Sequence, residues 1–189
     1  MRIISGKYKR KKLCTPKDLS TRPSTDRFRE TVMGMLEGGK FGYPLKSKII
    51  IDMFAGTGAL GIEAASRGDP SKVIFIESDK IANKIIQSNI QILNTINIFY
   101  AVNDDIRNID DWKFEPSGLV FLDPPYFSKL GIIALSKLDE LQALSPGAII
   151  VYETSVKEAV PEIHSYELLL SKKVSKSLIN ILKYLPSFK

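Results

Sequence analysis

The stretch Asp123-Pro124-Pro125-Tyr126 places an acid, two prolines and an aromatic residue directly after a short apolar run. A carboxylate oxygen of Asp123 and the carbonyl oxygen of Pro124 can accept hydrogen bonds from both N–H groups of an exocyclic amine. Such an amine is a poor nucleophile because its lone pair is delocalised, and two acceptors would turn that lone pair towards a methyl donor. Tyr126 offers a flat face on which a displaced base can stack. The pattern indicates amino-group methylation; its structural alternative is a rigid turn that ends a buried strand.

A glycine-rich turn lies earlier in the chain, where Gly56, Gly58 and Gly61 stand between an apolar run and a stretch of helical composition. Glycines allow a tight turn and a close approach to a ligand, and the following helix offers free N–H groups. This spacing is typical of a dinucleotide site or an S-adenosylmethionine (SAM) site, and it also fits a plain turn between a strand and a helix.

Acidic residues near the ends of the first three predicted strands help to separate these alternatives. Asp52 would disfavour a pyrophosphate but would favour a ligand that carries an ammonium and a sulfonium. Glu77 can accept both ribose hydroxyls, as NAD and SAM enzymes both require. Asp105 is our choice for the adenine amino group, with Asp104 as its competitor, although aspartates after strands are also common turn formers and caps. Together with the glycines, these acids favour SAM.

Five apolar runs, rich in β-branched residues and mostly separated by helical stretches, must position these side chains; they cover residues 48–54, 72–78, 97–102, 118–123 and 147–153. This alternation is typical of a parallel sheet with helices on its faces. Ligands of such sheets bind at the carboxyl ends of the strands, which is where the acids fall. The sequence therefore predicts one domain, made of a basic arm (1–23), a helix (24–39) and a Rossmann-like core (48–189).

Two segments, a helix near the start and the tail, flank this alternation. In the predicted helix, Phe28, Val32, Met35 and Leu36 share one face, so we expect its arginines to lie off this apolar stripe. The tail around "SKKVSKS" (171–177) reads as two strands, with one amphipathic helix as the alternative.

The composition restricts the class of protein. The chain has 189 residues, a formal net charge of +6, one cysteine and one histidine, so it offers no disulfide framework and no zinc cluster. No apolar run is long enough for a membrane span, and we expect a cytoplasmic protein with neither a membrane nor a metal partner. Basic residues crowd the amino terminus, which indicates a polyanionic partner or a solvated tail.

The segments "RIISGKYKRKKL", "TRPSTDRFRETVMGML", "DMFAGTGALGIEAASRG" and "VFLDPPY" together resemble one group of proteins. They are similar to SAM-dependent methyltransferases with an Asn/Asp-Pro-Pro-Tyr/Phe motif, and more narrowly to the bacterial 16S ribosomal RNA guanine-N2 methyltransferase family. The resemblance implies a Rossmann-like α/β fold with a mostly parallel seven-strand sheet, helices on both faces and an antiparallel final strand. The tail lacks the glycine that this resemblance leads us to expect near the last strand.

The same resemblance implies a function and a set of site residues. The activity would be methyl transfer to a guanine N2 of 16S rRNA, in a small-subunit assembly particle, by a monomer that uses SAM. Asp52, Gly56, Gly58 and Gly61 would surround the methionyl end of SAM, Glu77 the ribose and Asp105 the adenine, while Asp123, Pro124, Pro125 and Tyr126 would hold the target base. The RNA contacts would include Lys7, Lys9, Arg10, Lys11, Arg22 and Arg27.

Four other functions fit parts of the sequence. An adenine-N6 methyltransferase on DNA or RNA would use the same Asp-Pro-Pro-Tyr turn. A glutamine-N5 protein methyltransferase would leave the basic arm without a role. An NAD(P)-dependent dehydrogenase would explain the glycine turn, but the sequence has no residues arranged for hydride transfer. A non-catalytic RNA-binding assembly factor would not need Asp123 or the glycines, which are present.

Overall fold

The computed structural model describes residues 1–16, 26–95, 97–160 and 162–186. Its strands in chain order are β1 (Ile49–Met53), β2 (Lys72–Ile76), β3 (Phe99–Val102), β4 (Ser117–Leu122), β5 (Leu144–Ser155), β6 (Tyr166–Val174) and β7 (Ser177–Tyr184). All five predicted strands are present, and β5 is longer than the predicted 147–153.

The strands form one sheet in the order β3-β2-β1-β4-β5-β7-β6. The pairs β2–β3, β1–β2, β1–β4 and β4–β5 are parallel, and β7 runs antiparallel to both of its neighbours. The predicted mostly parallel seven-strand sheet with an antiparallel last strand is thus confirmed. Because the order reverses between β1 and β4, the carboxyl ends of these two strands form the switch point of the sheet.

Four α-helices cover the sheet: α1 (Asp26–Glu37), α2 (Ala59–Gly68), α3 (Lys80–Leu93) and α4 (Leu130–Glu140). Alternate strand residues face two separate cores, so that Ile50 and Phe121 pack with the first three helices while Ile51 and Leu122 pack with α4. This separation confirms helices on both faces, and it explains why the central strands are mostly apolar on both of their faces.

The carboxyl-terminal segment forms a hairpin of two strands, β6 and β7, and the alternative of one amphipathic helix is wrong. A two-residue turn joins them, since Val174 pairs with Ser177. Ser175 adopts the left-handed conformation in this turn, with φ of 58°. A serine therefore takes a backbone conformation that a glycine would adopt more easily, and the hairpin closes without the expected glycine.

Residues 1–16 fold back on the domain. Arg2 bridges to Lys12, and Ile3, Tyr8 and Leu13 are buried in the core that includes the first three helices. We call residues 1–13 the amino-terminal hairpin. Its apolar side chains anchor it, and its cations remain on the outside, as the exposure of Lys9 shows.

Two polar residues of α2 hold this hairpin in place. The fully buried carboxylate of Glu63 accepts hydrogen bonds from the backbone N–H groups of Ile4 (2.8 Å) and Ser5 (3.0 Å). The Ser66 side chain accepts a bond from the N–H of Tyr8 and donates one to the carbonyl of Ser5. Buried acceptors that are satisfied in this way fix the register of the hairpin on the helix.

The expectation for the arginines of α1 is wrong for Arg29. Its side chain is fully buried, and its Nη2 donates to the carbonyl of Arg2 (2.9 Å) and to Asp26 Oδ1 (2.6 Å). These acceptors compensate a charge that would otherwise be costly inside the protein. The Asp26 partner lies three residues earlier in the same helix, whereas the Arg2 partner belongs to the amino-terminal hairpin.

Within the described residues, no helix is long and apolar enough to cross a membrane. The same part of the chain contains no group of three or more His, Cys, Asp or Glu side chains arranged to hold a metal ion.

Candidate functional site

A cavity of about 1050 Å³ opens at the carboxyl edge of the sheet, where β1, β2, β4 and β5 end. Nine residues singled out from the sequence for the site line it: Asp52, Gly56, Glu77, Asp104, Asp105, Asp123, Pro124, Pro125 and Tyr126. The acidic strand ends and the Asp-Pro-Pro-Tyr turn therefore face one shared space.

The glycine turn shapes one wall of this cavity. Gly56 and Gly58 have φ of 57° and 74°, in the left-handed region that favours glycine. Gly61, within α2, lets the helix approach the sheet, since a Cβ there would lie 2.7 Å from the Phe75 ring and 3.0 Å from Asp52. Gly58 and Gly61 thus act through backbone shape, and of the three only Gly56 lines the cavity.

Asp52 is a buried acid at the end of β1, only 2 % exposed. Its Oδ2 accepts a hydrogen bond from the N–H of Gly61 at 2.8 Å. Burial raises the pKa of this carboxyl to about 7; the bond from Gly61 opposes the shift, and the nearby charge of Glu77 adds to it. A cationic ligand group in the cavity would favour the ionised form of Asp52 and so be favoured by it.

Glu77 follows β2 and is oriented by backbone donors on both sides. Its Oε2 accepts from the N–H of Gly56 at 2.8 Å, and its Oε1 accepts from the N–H of Asp79 at 2.9 Å. Asn103 braces the same strand end by donating to the carbonyl of Glu77. A carboxylate can accept about four hydrogen bonds, so this one retains acceptor capacity for two hydroxyl groups.

Asp104 and Asp105 both line the cavity beyond β3. The Asp105 carboxylate caps a short 3₁₀ turn and pairs with Arg107, whose Nη2 lies 2.6 Å from Oδ2. The Arg107 hydrogen bond lowers the pKa of Asp105. Asp104 is more exposed and accepts a bond from the N–H of Asp105. Which of the two would contact an adenine remains a prediction.

Tyr126 is anchored at its hydroxyl group. That group donates to Glu153 Oε1 at 2.6 Å and lies 2.7 Å from Ser177 Oγ, which can donate to it in turn. Burial and the Glu153 carboxylate raise the pKa of Tyr126 to about 12, so the hydroxyl keeps its proton. One contact comes from β5 and the other from β7, and together they fix the ring against the cavity wall.

Asp123 begins the turn that carries this ring. Its N–H lies 3.5 Å from the carbonyl of Met53, across the switch point. The turn continues through Pro125, whose carbonyl accepts a bond from the Ser128 hydroxyl at 2.6 Å. Because proline has a fixed φ, the two prolines restrict the path between Asp123 and Tyr126.

The predicted RNA contacts lie mostly on the amino-terminal hairpin. Lys7 pairs with Asp69 at 3.3 Å, and Lys11 donates to the carbonyl of Ile92 near the end of α3. Lys9 and Arg10 line a second cavity, of about 370 Å³, next to α1. Arg27 is exposed on α1, whereas Arg22 falls outside the described residues.

Sequence reasoning missed the two partners of Tyr126. Glu153 ends the apolar part of β5, in the same position relative to its strand as Glu77 and Asp123, and that repetition was a usable signal. Ser177 carried no such signal, because it reaches the cavity only through the turn between β6 and β7. An apolar part of the cavity lining was also missed; it contains Ile81, Ala82, Ile85 and Ile106.

These residues fit SAM in three respects. The buried Asp52 carboxylate would face the cationic methionyl end, Glu77 has acceptors for ribose hydroxyls, and the isoleucines offer an apolar slot for a purine. The neighbouring Asp123 to Tyr126 turn leaves room for an acceptor substrate in the same cavity.

Comparison with known proteins agrees with this geometry. The family model described as "Conserved hypothetical protein 95" matches residues 1–183. The chain belongs to this family. It is 31% identical to ribosomal RNA small subunit methyltransferase D of Escherichia coli (strain K12), over 93% of this chain and 85% of that protein. The solved structure of yhhF from Escherichia coli superposes with a TM-score of 0.81 at 28% identity, covering 99% of both chains.

A more distant structure shares the fold alone. It is an RNA methyltransferase from Salinibacter ruber in complex with S-adenosyl-L-homocysteine, with a TM-score of 0.65 and 14% identity over 88% of this chain and 96% of that one. Together, these similarities and the sheet order establish a Rossmann-like SAM-dependent methyltransferase fold.

Proposed function

We propose that this protein is a SAM-dependent methyltransferase that acts on ribosomal RNA, and that its target is the exocyclic N2 amine of a guanine in 16S rRNA. The observation that carries the proposal is that Asp52, Glu77 and the Asp123–Tyr126 turn line one cavity. The similarity to a ribosomal RNA small subunit methyltransferase supports the substrate class. The chemistry of the turn supports an exocyclic amine as the acceptor, and the resemblance to the guanine-N2 methyltransferase family favours guanine over adenine.

Bound SAM would supply an electrophilic methyl group, and the residues of the chain would supply the geometry. Asp52 would hold the methionyl end of the donor and Glu77 its ribose, so that the methyl group is directed towards the turn. Asp123 and the carbonyl of Pro124 would accept the two N–H groups of the target amine and direct its lone pair. As the nitrogen gains positive charge, the Asp123 carboxylate stabilises it and can accept the departing proton.

Tyr126 would hold the guanine that the amine belongs to. A base must leave its stack to enter such a cavity. Stacking on the tyrosine ring contributes about 1–3 kcal/mol and so compensates part of the cost of unstacking. Since the ring is anchored through Glu153 and Ser177, the base would meet a surface that is already in position.

The direct test is to incubate the protein with methyl-labelled SAM and, in separate reactions, with 16S rRNA, small-subunit particles, DNA and protein. Each product is then digested and the labelled residue identified. We expect label in N2-methylguanosine from RNA or from the particles. Label in N6-methyladenosine would overturn the guanine assignment, and no label in any RNA would overturn the proposed function.

The variant Asp123→Ala tests the chemistry of the turn. We expect it to retain SAM affinity and to lose methylation by about a hundredfold or more, because one of the two amine acceptors is gone. Asp123→Asn is the matched control, since its amide oxygen still accepts one hydrogen bond, and it should retain more activity than the alanine variant. Near-normal turnover of Asp123→Ala would remove Asp123 from the reaction.

A further inference from the structure

The loops that carry the cavity-lining residues Tyr126 and Ser175, together with the loop after β5, also carry a group of exposed side chains that the predicted RNA contacts do not include. We call this group the lysine rim; it consists of Phe127, Lys129, Val156, Lys157 and Lys176. Phe127 is 69% exposed and Val156 is 37% exposed, and all three lysines are exposed as well. Along the sheet order, its loops follow β4, β5 and β6, whereas the glycine turn follows β1.

Three separate loops meet in this rim and are tied together by hydrogen bonds. The carboxylate of Glu158 accepts bonds from the N–H of Phe127 (2.5 Å) and from the N–H of Ser155 (2.8 Å). The N–H of Val156 donates to the carbonyl of Lys176 at 3.2 Å. The loop after β4, the loop after β5 and the turn between β6 and β7 therefore form one connected surface.

The charges of this surface are available to a partner. Among the described residues, no carboxylate forms an ion pair with Lys129, Lys157 or Lys176, whereas Lys7, Lys72 and Lys137 are all paired. Two acids of these loops are already engaged, Glu158 by backbone N–H groups and Glu153 by the Tyr126 hydroxyl. Three cations around an exposed ring match a strand that presents phosphates and unstacked bases.

The conformation of Phe127 points in the same direction. Its φ of 57° lies in the left-handed region, which a bulky residue rarely adopts. The hydrogen bond from its N–H to Glu158 stabilises this conformation, in which the ring is exposed to solvent. Phe127 directly follows Tyr126 in the sequence. A strained backbone that exposes an aromatic side chain beside an active site is a feature from which a binding role can be inferred.

We propose that the lysine rim binds a single-stranded segment of the substrate RNA adjacent to the target nucleotide. The lysines would contact its phosphates, and Phe127 would stack on a neighbouring base, while Tyr126 holds the target base itself. This inference rests on the proposed function and adds to it a second RNA-binding surface, separate from the amino-terminal hairpin.

The test compares two triple variants with the same loss of charge. The first variant carries alanine in place of Lys129, Lys157 and Lys176. The second carries alanine in place of Lys46, Lys48 and Lys113, which lie towards the opposite edge of the sheet. Affinity for a 16S rRNA fragment is measured over a salt titration. We expect the slope of log K against log [salt] to fall by about 2 in the rim variant, because three phosphate contacts of a single strand are lost. The control variant should keep the slope of the unmodified protein.

Phe127→Ala provides an independent measurement. We expect it to weaken RNA binding about tenfold without changing the salt slope, because a stacked ring contributes no ion release. Phe127→Tyr should restore the affinity. In the triple lysine variant and in Phe127→Ala, the KM for RNA should rise, while kcat at saturating RNA and the affinity for SAM stay unchanged.

The outcomes separate this inference from the proposed function. If the unmodified protein methylates RNA but the rim and control variants have equal salt slopes, the lysine rim is overturned and the proposed function stands. If the unmodified protein labels no RNA, the proposed function fails. Binding of the rim variant that equals that of the unmodified protein would overturn the rim whatever the methylation result.

Discussion

At the scale of single residues, the cavity combines one acid that is poorly solvated with others that are held by donors. Asp52 is buried and receives the Gly61 N–H, whereas Glu77 receives two backbone donors and Asp105 receives Arg107. Burial raises the pKa of Asp52 and the Arg107 hydrogen bond lowers that of Asp105, even though both carboxyls line the same space. The pKa of Asp52, about 7, falls within the range of ordinary assay conditions.

The pKa of Asp52 leads to a prediction about pH. A positively charged ligand favours the ionised carboxylate, so its affinity should rise as pH increases through about 7, where the free protein loses this proton. We expect SAM to bind about tenfold more tightly at pH 8 than at pH 6. Calorimetry across this range measures the effect.

Asp52→Asn is the control for that experiment, because it keeps the acceptor oxygen and cannot ionise. It should bind SAM weakly and show only the pH dependence that comes from the ligand itself. The same raised pKa makes the ionised carboxyl a cost to the folded state, so without ligand the stability should increase as pH falls from about 7 towards 4. A pH profile shared by the variant and the unmodified protein would contradict both statements.

The anchored hydroxyl of Tyr126 leads to a second prediction. Tyr126→Phe keeps the ring but removes the donor to Glu153 and the partner of Ser177. We expect the free energy of unfolding to fall by about 1–2 kcal/mol and the KM for RNA to rise, with SAM affinity unchanged. Glu153→Gln should have a smaller effect, since its amide oxygen can still accept from the tyrosine. If Tyr126→Phe retains full stability and the KM of the unmodified protein, the anchor has no role.

At the scale of elements, the amino-terminal hairpin depends on contacts that join distant parts of the chain. Glu63 and Ser66 of α2 satisfy its backbone, and Gly6 approaches the end of that helix so closely that a Cβ would lie 1.9 Å from the Ser66 carbonyl. The basic character of the segment was visible in the sequence. Its docking was not, because nothing in the local pattern shows that Glu63 would serve a segment about sixty residues earlier.

Gly6→Ala tests this docking against a matched glycine. Gly42 has a similar φ, 77° against 82°, but no heavy atom lies within 4 Å of a Cβ built there. Gly42→Ala should therefore cost only the backbone strain, about 1–2 kcal/mol. Gly6→Ala should cost about 1–3 kcal/mol more, because the clash adds to the strain. Urea unfolding measures both, and equal losses would show that the hairpin adjusts without cost.

At the scale of the whole molecule, the sequence was sufficient to predict the strands of the parallel part of the sheet and the acids at their carboxyl ends. The apolar runs, the glycine spacing and the strand-end acids depend on local chemistry, so they could be predicted from neighbouring residues. The partners of Tyr126 and the pairing of Arg29 with the amino-terminal hairpin depend on how distant segments pack. The lysine rim likewise brings together three loops that are far apart in the sequence.

The position of β7 also affects the order in which the site can be completed. Although β7 is the last of the seven strands in chain order, it lies inside the sheet between β5 and β6, and its first residue is Ser177. During synthesis, the glycine turn and the acids of β1 and β2 can assemble long before this strand is available. The Tyr126 hydroxyl gains its contact with Ser177 only when β7 inserts, so the part of the cavity proposed for the donor would form before the part proposed for the target base.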